Sequence, residues 1–250
     1  MKLELPRLYA ITDSKRYPDF LERLEKVLKK GVRMVQLREK QISGLEYYRL
    51  ALKVREMTKD YGALLFINDR VDIALAVGAD GVHLPEKGFP PSVVKRMAPG
   101  LLVGYSAHSL EEALYAQREG ADFITLSPIF KTQSHLERKP IGLVVLRDVS
   151  QSLSIPVYAL GGITWDRIKL CYKNGAYGIA GIGLFFEHVI KPWPIPAVKG
   201  REGPSGVYKD LQGSHYPPCI VGRDLFGIQR VNGQKLLIKV RASLPLGYVV

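Results

Sequence analysis

The sequence predicts a (β/α)8 barrel with an irregular C-terminal extension, and two observations carry that prediction. Short apolar, β-branched segments recur through the first three quarters of the 250 residues, and most are separated by stretches of helical periodicity. Each helical stretch tends to end at a glycine just before the next segment, where a left-handed cap carries no Cβ penalty. Eight strands alternating with helices is the pattern of a closed parallel barrel. A doubly wound open sheet is the alternative, but it rarely needs eight units this regular.

Taken in order, the first segment is LYAIT (8–12), followed by a helix whose stripe is Leu21, Leu24, Val27 and Leu28. KKG leads into the second segment, MVQLR (34–38), and LLFIN (64–68) is the third. RVDIALAVGAD then leaves room for only about two helical turns before GVHL (81–84). LLVGY (101–105) precedes SLEEALYAQREGAD, where Leu110, Ala113, Leu114 and Ala116 mark an apolar stripe. FITLS (123–127), PVYAL (156–160) and GIAGI (178–182) complete the series. Residues 1–190 therefore read as the barrel domain, and 191–250 as a Pro/Gly-rich extension. Pro192, Pro194 and Pro196 cut short the helix expected after the eighth strand. QKLLIKVRASL alternates weakly and fits one hairpin. A shifted reading frame and a replacement for the missing last helix both fit this tail.

Composition narrows the class. A hydrophobic content of 46% with 24% charged residues is ordinary for a soluble enzyme. No apolar run approaches the roughly 18 residues that span a bilayer, and MKLELPRLYAITD has neither the h-region nor the cleavage site of a signal peptide. Cys171 and Cys219 give no disulfide framework or metal cluster, which points to a reducing cytoplasm. The net charge of +12 lies mostly on solvated helix faces such as ERLEKVLKKG, with no nucleic-acid module and no long basic run. Neither nucleic acid nor membrane is expected as a partner.

In a barrel of this kind the chemistry gathers at the C-terminal ends of the strands. Those positions hold Thr12 and Asp13; Gln36, Arg38, Glu39 and Lys40; Asn68, Asp69 and Arg70; and Ser106 and His108. Further round the ring come Ser127, Thr132, Ser134 and His135, then Gly161, Gly162 and Gly183. Arg38 and Lys40 alternate with Glu39 on an extended strand end, so both cations can face one side and suit a diphosphate. Asp69 is a candidate Mg²⁺ ligand, because that ion takes one or two carboxylates plus phosphate oxygens. The glycines let backbone N–H groups approach a phosphate after strands seven and eight. His108 is the candidate acid–base group. Each has a plainer reading: Asn-Asp is turn chemistry, charge runs pair on surfaces, and Gly-Gly makes tight turns. His83 and His135 are expected to be structural or solvent-facing. Only the joint placement of the set argues for a site.

QLREK (36–40), NDRVDIALAVGADGVHL (68–84), GYSAHSLEEA (104–113), GADFITLSPIFKTQS (120–134) and ALGGIT (159–164) resemble the thiamine phosphate synthase/TenI family. The resemblance covers roughly residues 6–190, and the tail has no counterpart in it. It implies a self-associating barrel that binds a thiazole phosphate, with one of two activities. A synthase joins a pyrimidine methyl pyrophosphate to the thiazole phosphate with Mg²⁺. A TenI-type tautomerase aromatises a thiazole carboxylate phosphate without a metal. The synthase pattern implies that Gln36, Arg38, Lys40, Asn68 and Ser106 meet the pyrimidine pyrophosphate and that Asp69 binds Mg²⁺. It implies that Thr132, Ser134, Gly161 or Gly162, Ile182 and Gly183 hold the thiazole phosphate. Two departures stand out: Gly88 where synthases carry a second metal-binding Asp, and His135 where they carry a Lys. On these, the tautomerase with His108 as its acid–base group is the leading expectation and the synthase the alternative. Glu86 is a conceivable substitute metal ligand, if the loop shifts. A third reading is a non-catalytic homologue that only binds the phosphate.

Overall fold

The apolar segments are strands, and all of them close into one barrel. In the computed structural model, residues 4–39, 41–132 and 139–187 are described, with the backbone of 225–231 and 234–240. The barrel strands are β1 (Leu8–Ile11), β2 (Met34–Leu37), β3 (Leu64–Asn68), β4 (Gly81–Leu84), β5 (Leu102–Ala107), β6 (Phe123–Leu126), β7 (Val157–Ala159) and β8 (Gly178–Gly181). They pair in parallel in chain order, and β8 returns to β1 at Tyr9↔Ala180. That closure excludes the open sheet. Strands covered on both faces are apolar along nearly their whole length, as these are.

The helices are α1 (Phe20–Lys29), α2 (Gly44–Asp60), α3 (Val71–Ala76), α4 (Pro91–Met97), α5 (Leu110–Arg118), α6 (Gly142–Ser152), α7 (Ile168–Lys173) and α8 (Gly183–Phe186). α1 buries Phe20, Leu24, Val27 and Leu28, close to the stripe read from sequence. On α5 the buried residues are Ala113 and Ala116, whereas Leu110 and Leu114 stay 37% and 41% exposed. The two leucines lie one turn apart on the flank of the helix, while the small alanines let it sit close to the sheet. α3 has 6 residues, as the short interval requires. The capping glycines Gly31, Gly78, Gly120 and Gly175 all take positive φ.

Inside the barrel, Tyr9, Phe66, Phe123 and Tyr158 form a plug whose rings meet edge to face at 5.2–5.8 Å around Tyr9 and Phe123. Room for it comes from glycine on neighbouring strands. A Cβ at Gly81 would come within 2.4 Å of the Phe66 ring, and one at Gly104 within 2.4 Å of Phe123. At the opposite face from the strand C-termini, Asp80 accepts from Leu65 N (2.7 Å) and Arg55 (2.6 Å). Asp122 repeats the arrangement with Val103 N (2.6 Å) and Lys95 (2.5 Å). Each aspartate thus locks a helix and a neighbouring strand onto the base of the barrel.

By contact density the chain divides into two units, Met1–Pro196 and Ala197–Val250. α8 is a single turn, and the three prolines after it lie outside the described residues. In the second unit β9 (Leu225–Val231) and β10 (Gln234–Val240) form an antiparallel hairpin with Val231 opposite Gln234. Among the described residues no helix is long and apolar enough to cross a membrane.

Candidate active site

The C-terminal strand ends do bring most of the polar set to one mouth. Thr12 is fully buried and stitches β1 to β2: its N–H donates to Gln36 O (2.9 Å) and its Oγ1 accepts from Arg38 N (3.0 Å). Gln36 is 2% exposed, and its Nε2 has no hydrogen-bond partner of normal geometry among the described residues. Burial and neighbouring Tyr158 raise the Tyr9 phenol well above its ordinary pKa, and the nearby Gln36 amide opposes that rise. A buried donor left unpaired costs about 1–3 kcal/mol, so it marks a place where a ligand acceptor would fit. Glu39 turns to the β1–α1 loop, where Ser14 Oγ donates to its Oε2 at 2.5 Å. Burial raises its carboxyl above the ordinary value, with the Ser14 bond opposing. No ion pair joins Arg38 to Glu39 among the described residues, so the surface-pair reading fails for these two. Lys40 lies outside the described residues.

His83, expected to be structural, is the hub of a buried chain. Tyr9 Oη lies 3.2 Å from Nδ1, Ser106 Oγ 3.0 Å from Nε2, and Thr125 Oγ1 3.4 Å from Nε2. Burial, with the charge of Arg38 adding to it, pushes the imidazole pKa down to about 3, so the ring is neutral. A neutral ring carries one proton. With the Tyr9 hydroxyl donating to Nδ1, that proton sits on Nε2 and donates to Ser106 Oγ. In that arrangement Ser106 Oγ accepts from His83 and its own hydroxyl hydrogen is not used on the ring. Nothing in the sequence distinguished Tyr9 from an ordinary strand aromatic.

Asp69 follows β3 with φ 62°, the only non-glycine residue in the left-handed region among those described. Its N–H donates to His83 O (3.0 Å), and Arg70 N donates to Asn68 O (2.7 Å), which pins the turn. Arg70 itself leaves the mouth and forks onto Asp72 at 2.8 and 2.5 Å. A Cβ built at Gly88 would lie 3.1 Å from Asp69 Oδ1, so position 88 directly adjoins that carboxylate. Glu86 Oε2 lies 3.8 Å from His108 Nε2. His108 Nδ1 is 2.6 Å from Ser127 O, and its backbone N–H donates to Glu112 Oε2 at 2.8 Å.

On the other side of the ring, the glycine pair after β7 packs against the loop after β6. Gly161 (φ 93°) and Gly162 (φ 63°) run under the segment after β6. A Cβ would meet Pro128 Cα at 2.8 Å from the first and Lys131 O at 2.3 Å from the second. Phe130 N donates to Gly161 O (3.0 Å), so the two loops are joined. Thr132 closes the described part of the β6 loop; Ser134 and His135 lie outside it. Ile182 caps α8 and Gly183 begins it, at the turn where β8 ends.

Comparison with known proteins gives one consistent answer. The family described as Thiamine monophosphate synthase matches residues 8–185. A putative thiamine-phosphate synthase 2 of Aquifex aeolicus (strain VF5) is 70% identical over 186 residues, covering 74% of this chain and 100% of that protein. The thiamine-phosphate synthase of Caldanaerobacter subterraneus subsp. tengcongensis is 44% identical, covering 72% of this chain and 86% of the relative. Among solved structures, a thiamine phosphate pyrophosphorylase from Pyrococcus furiosus superposes with a TM-score of 0.66 at 41% identity, over 71% of this chain and 85% of that one.

Proposed function

The chain belongs to the thiamine monophosphate synthase family of enzymes, and from that premise we propose that it is a thiamine-phosphate synthase. The reaction joins a pyrimidine methyl pyrophosphate to a thiazole phosphate. The C–O bond to pyrophosphate breaks, the leaving pyrophosphate keeps the electron pair, and the thiazole ring nitrogen bonds the freed methylene carbon. The tautomerase, ranked first on Gly88 and His135, gives way to this alternative, because the relatives named above are synthases or pyrophosphorylases.

The observation that carries the proposal is the buried Gln36 Nε2, without a hydrogen-bond partner of normal geometry among the described residues, on the same mouth as Arg38, Asn68 and Ser106. A tautomerase has no pyrimidine pyrophosphate to bind and no need of this half of the ring. In the synthase reading Gln36 donates to the pyrimidine, Arg38 and Lys40 face the pyrophosphate, and Ser106 donates its hydroxyl hydrogen to the same group. Glu39 buttresses the β2 end through Ser14 rather than touching substrate. Thr132, Ser134 and the backbone at Gly161, Gly162, Ile182 and Gly183 hold the thiazole phosphate.

Mg²⁺ fits Asp69. The donor is a carboxylate oxygen at the mouth, and the residue beside it, Gly88, puts no side chain against it. Asp69 would hold the ion, which when bound supplies charge neutralisation to the departing pyrophosphate. The chain's own part is to present Asp69 in a fixed turn and to aim Arg38 and Ser106 at the same leaving group, preorganised for the developing charge.

The deciding experiment incubates the purified chain with thiazole phosphate, pyrimidine methyl pyrophosphate and Mg²⁺, and separates the products by chromatography. Thiamine phosphate that disappears with chelator is the expected outcome. Thermal stabilisation by thiazole phosphate with no product at any Mg²⁺ concentration would mean a non-catalytic binder.

A further inference from the structure

Away from Asp69, the mouth holds a second cluster that the synthase reaction does not use. It comprises Glu86 on the loop after β4, His108 just past β5, and Glu112 in the first turn of α5. One potential ligand atom from each lies within 4.8 Å of the others. We propose that Glu86, His108 and Glu112 form a site for a first-row transition-metal dication such as Zn²⁺, separate from the Mg²⁺ position at Asp69.

The tautomer argues for it. Ser127 O is only an acceptor, so at 2.6 Å it places the proton on His108 Nδ1 and leaves Nε2 as the atom facing Glu86. The separation from Nε2 to Glu86 Oε2 is 3.8 Å, too long for a hydrogen bond. A metal ion ligated by both atoms would occupy that gap. Two ligands at about 2.0–2.2 Å from one tetrahedral ion sit roughly 3.3–3.6 Å apart, within a few tenths of an ångström of the distance found.

The supporting contacts are those that ligands of a metal need. An imidazole that binds a metal through one nitrogen usually donates the other N–H to a carbonyl or carboxylate, as His108 does. Glu112 is steadied by His108 N (2.8 Å), and its own N–H donates to Ser109 Oγ (3.1 Å). Glu86 is anchored through its carbonyl, which accepts from Tyr105 Oη at 3.2 Å. The imidazole sets the metal class: it suits Zn²⁺, Co²⁺ or Mn²⁺, whereas Mg²⁺ prefers an all-oxygen shell. A bound ion would fasten the β4–α4 loop, which carries Gly88 beside Asp69, to the start of α5.

The full-length chain, stripped with chelator and dialysed, should take up one equivalent of Zn²⁺ in calorimetric titration with Mg²⁺ in excess, and Co²⁺ should give a ligand-field spectrum. E86Q and H108Q should each weaken Zn²⁺ on the order of tenfold or more, while D69N should leave it unchanged. Circular dichroism checks that each variant is folded, and E86Q, altering a partly exposed loop side chain, is the safer of the two. The proposal is overturned if the wild-type chain binds no Zn²⁺. It is equally overturned if E86Q and H108Q, both folded, bind as the wild type does, which puts the ion elsewhere. None of these readouts depends on synthase activity, so failure of one reading leaves the other testable.

Discussion

Asp69 is held at a left-handed φ of 62°, a conformation that costs a non-glycine residue on the order of 1–3 kcal/mol and is retained mostly where function requires it. On the synthase reading, Asp69→Asn should lower turnover about 100-fold or more, because the carboxylate that would hold Mg²⁺ beside the leaving group is lost. Gly88→Asp adds a second carboxylate beside it. Its Cβ must displace the Pro85 ring, 2.9 Å away, by a few tenths of an ångström. The Mg²⁺ concentration for half-maximal rate should fall about tenfold in that variant, and a Mg²⁺ titration of initial rate decides it. His83 carries a stability prediction. Its imidazole stays neutral in the fold down to about pH 3, whereas in the unfolded chain it protonates near its ordinary value of 6.5. Between those values the unfolded state binds the extra proton, so stability falls as pH falls from 6.5 towards 3, by several kcal/mol. Glu39, with its carboxyl raised by burial, contributes with the opposite sign near the carboxylate range. Urea unfolding from pH 7 to 4 should show a shallower pH slope for His83→Gln than for the wild type.

The elements divide the work between the two faces. At the base, Asp80 and Asp122 each tie a strand N–H to a cation on a helix, and neither approaches the mouth. Asp122→Ala leaves Val103 N without its acceptor, and should cost about 1–3 kcal/mol in chemical denaturation while leaving kcat unchanged. At the mouth, the loop after β7 runs beneath the loop after β6 with no room for a Cβ. Gly162→Ala would set a methyl 2.3 Å from Lys131 O at a φ of 63°. Both loops must then move, and the proposed thiazole phosphate site moves with them. Steady-state kinetics should show KM for thiazole phosphate rising about tenfold or more, because small displacements of a positioned group are costly. KM for the pyrimidine substrate should change little, since β2, β3 and β5 are untouched.

For the whole molecule, we propose that residues 1–190 fold as a barrel without the extension. The Aquifex aeolicus relative is matched over 100% of its length by 186 residues of this chain, so a chain of barrel size suffices in that protein. A version ending at residue 190 should keep cooperative unfolding, with a Tm within a few degrees of the full chain, as measured by circular dichroism. A loss of cooperativity would show that the extension completes the barrel where α8 is only one turn long.

Strand and helix identities were legible because each is written in a local pattern. Apolar runs mark the doubly covered strands, a 3.6-residue stripe marks α1, and glycines mark the helix ends. The strand-end set was legible for the same reason: once the barrel is recognised, the residue after each apolar run is at the mouth. Leu110 and Leu114 misled because periodicity finds a face without saying how wide the covered part of it is. The sequence by itself determined the barrel, its strand order and which of the described polar residues follow each strand. Only the tertiary structure decided which of them meet. It turned Arg70 out onto Asp72, put Gly88 against Asp69, joined Ser106 to His83, and gathered Glu86 and Glu112 around His108. The physical reason is that burial is imposed on each segment locally, whereas the direction of a polar side chain is set by hydrogen bonds to partners far away in the chain.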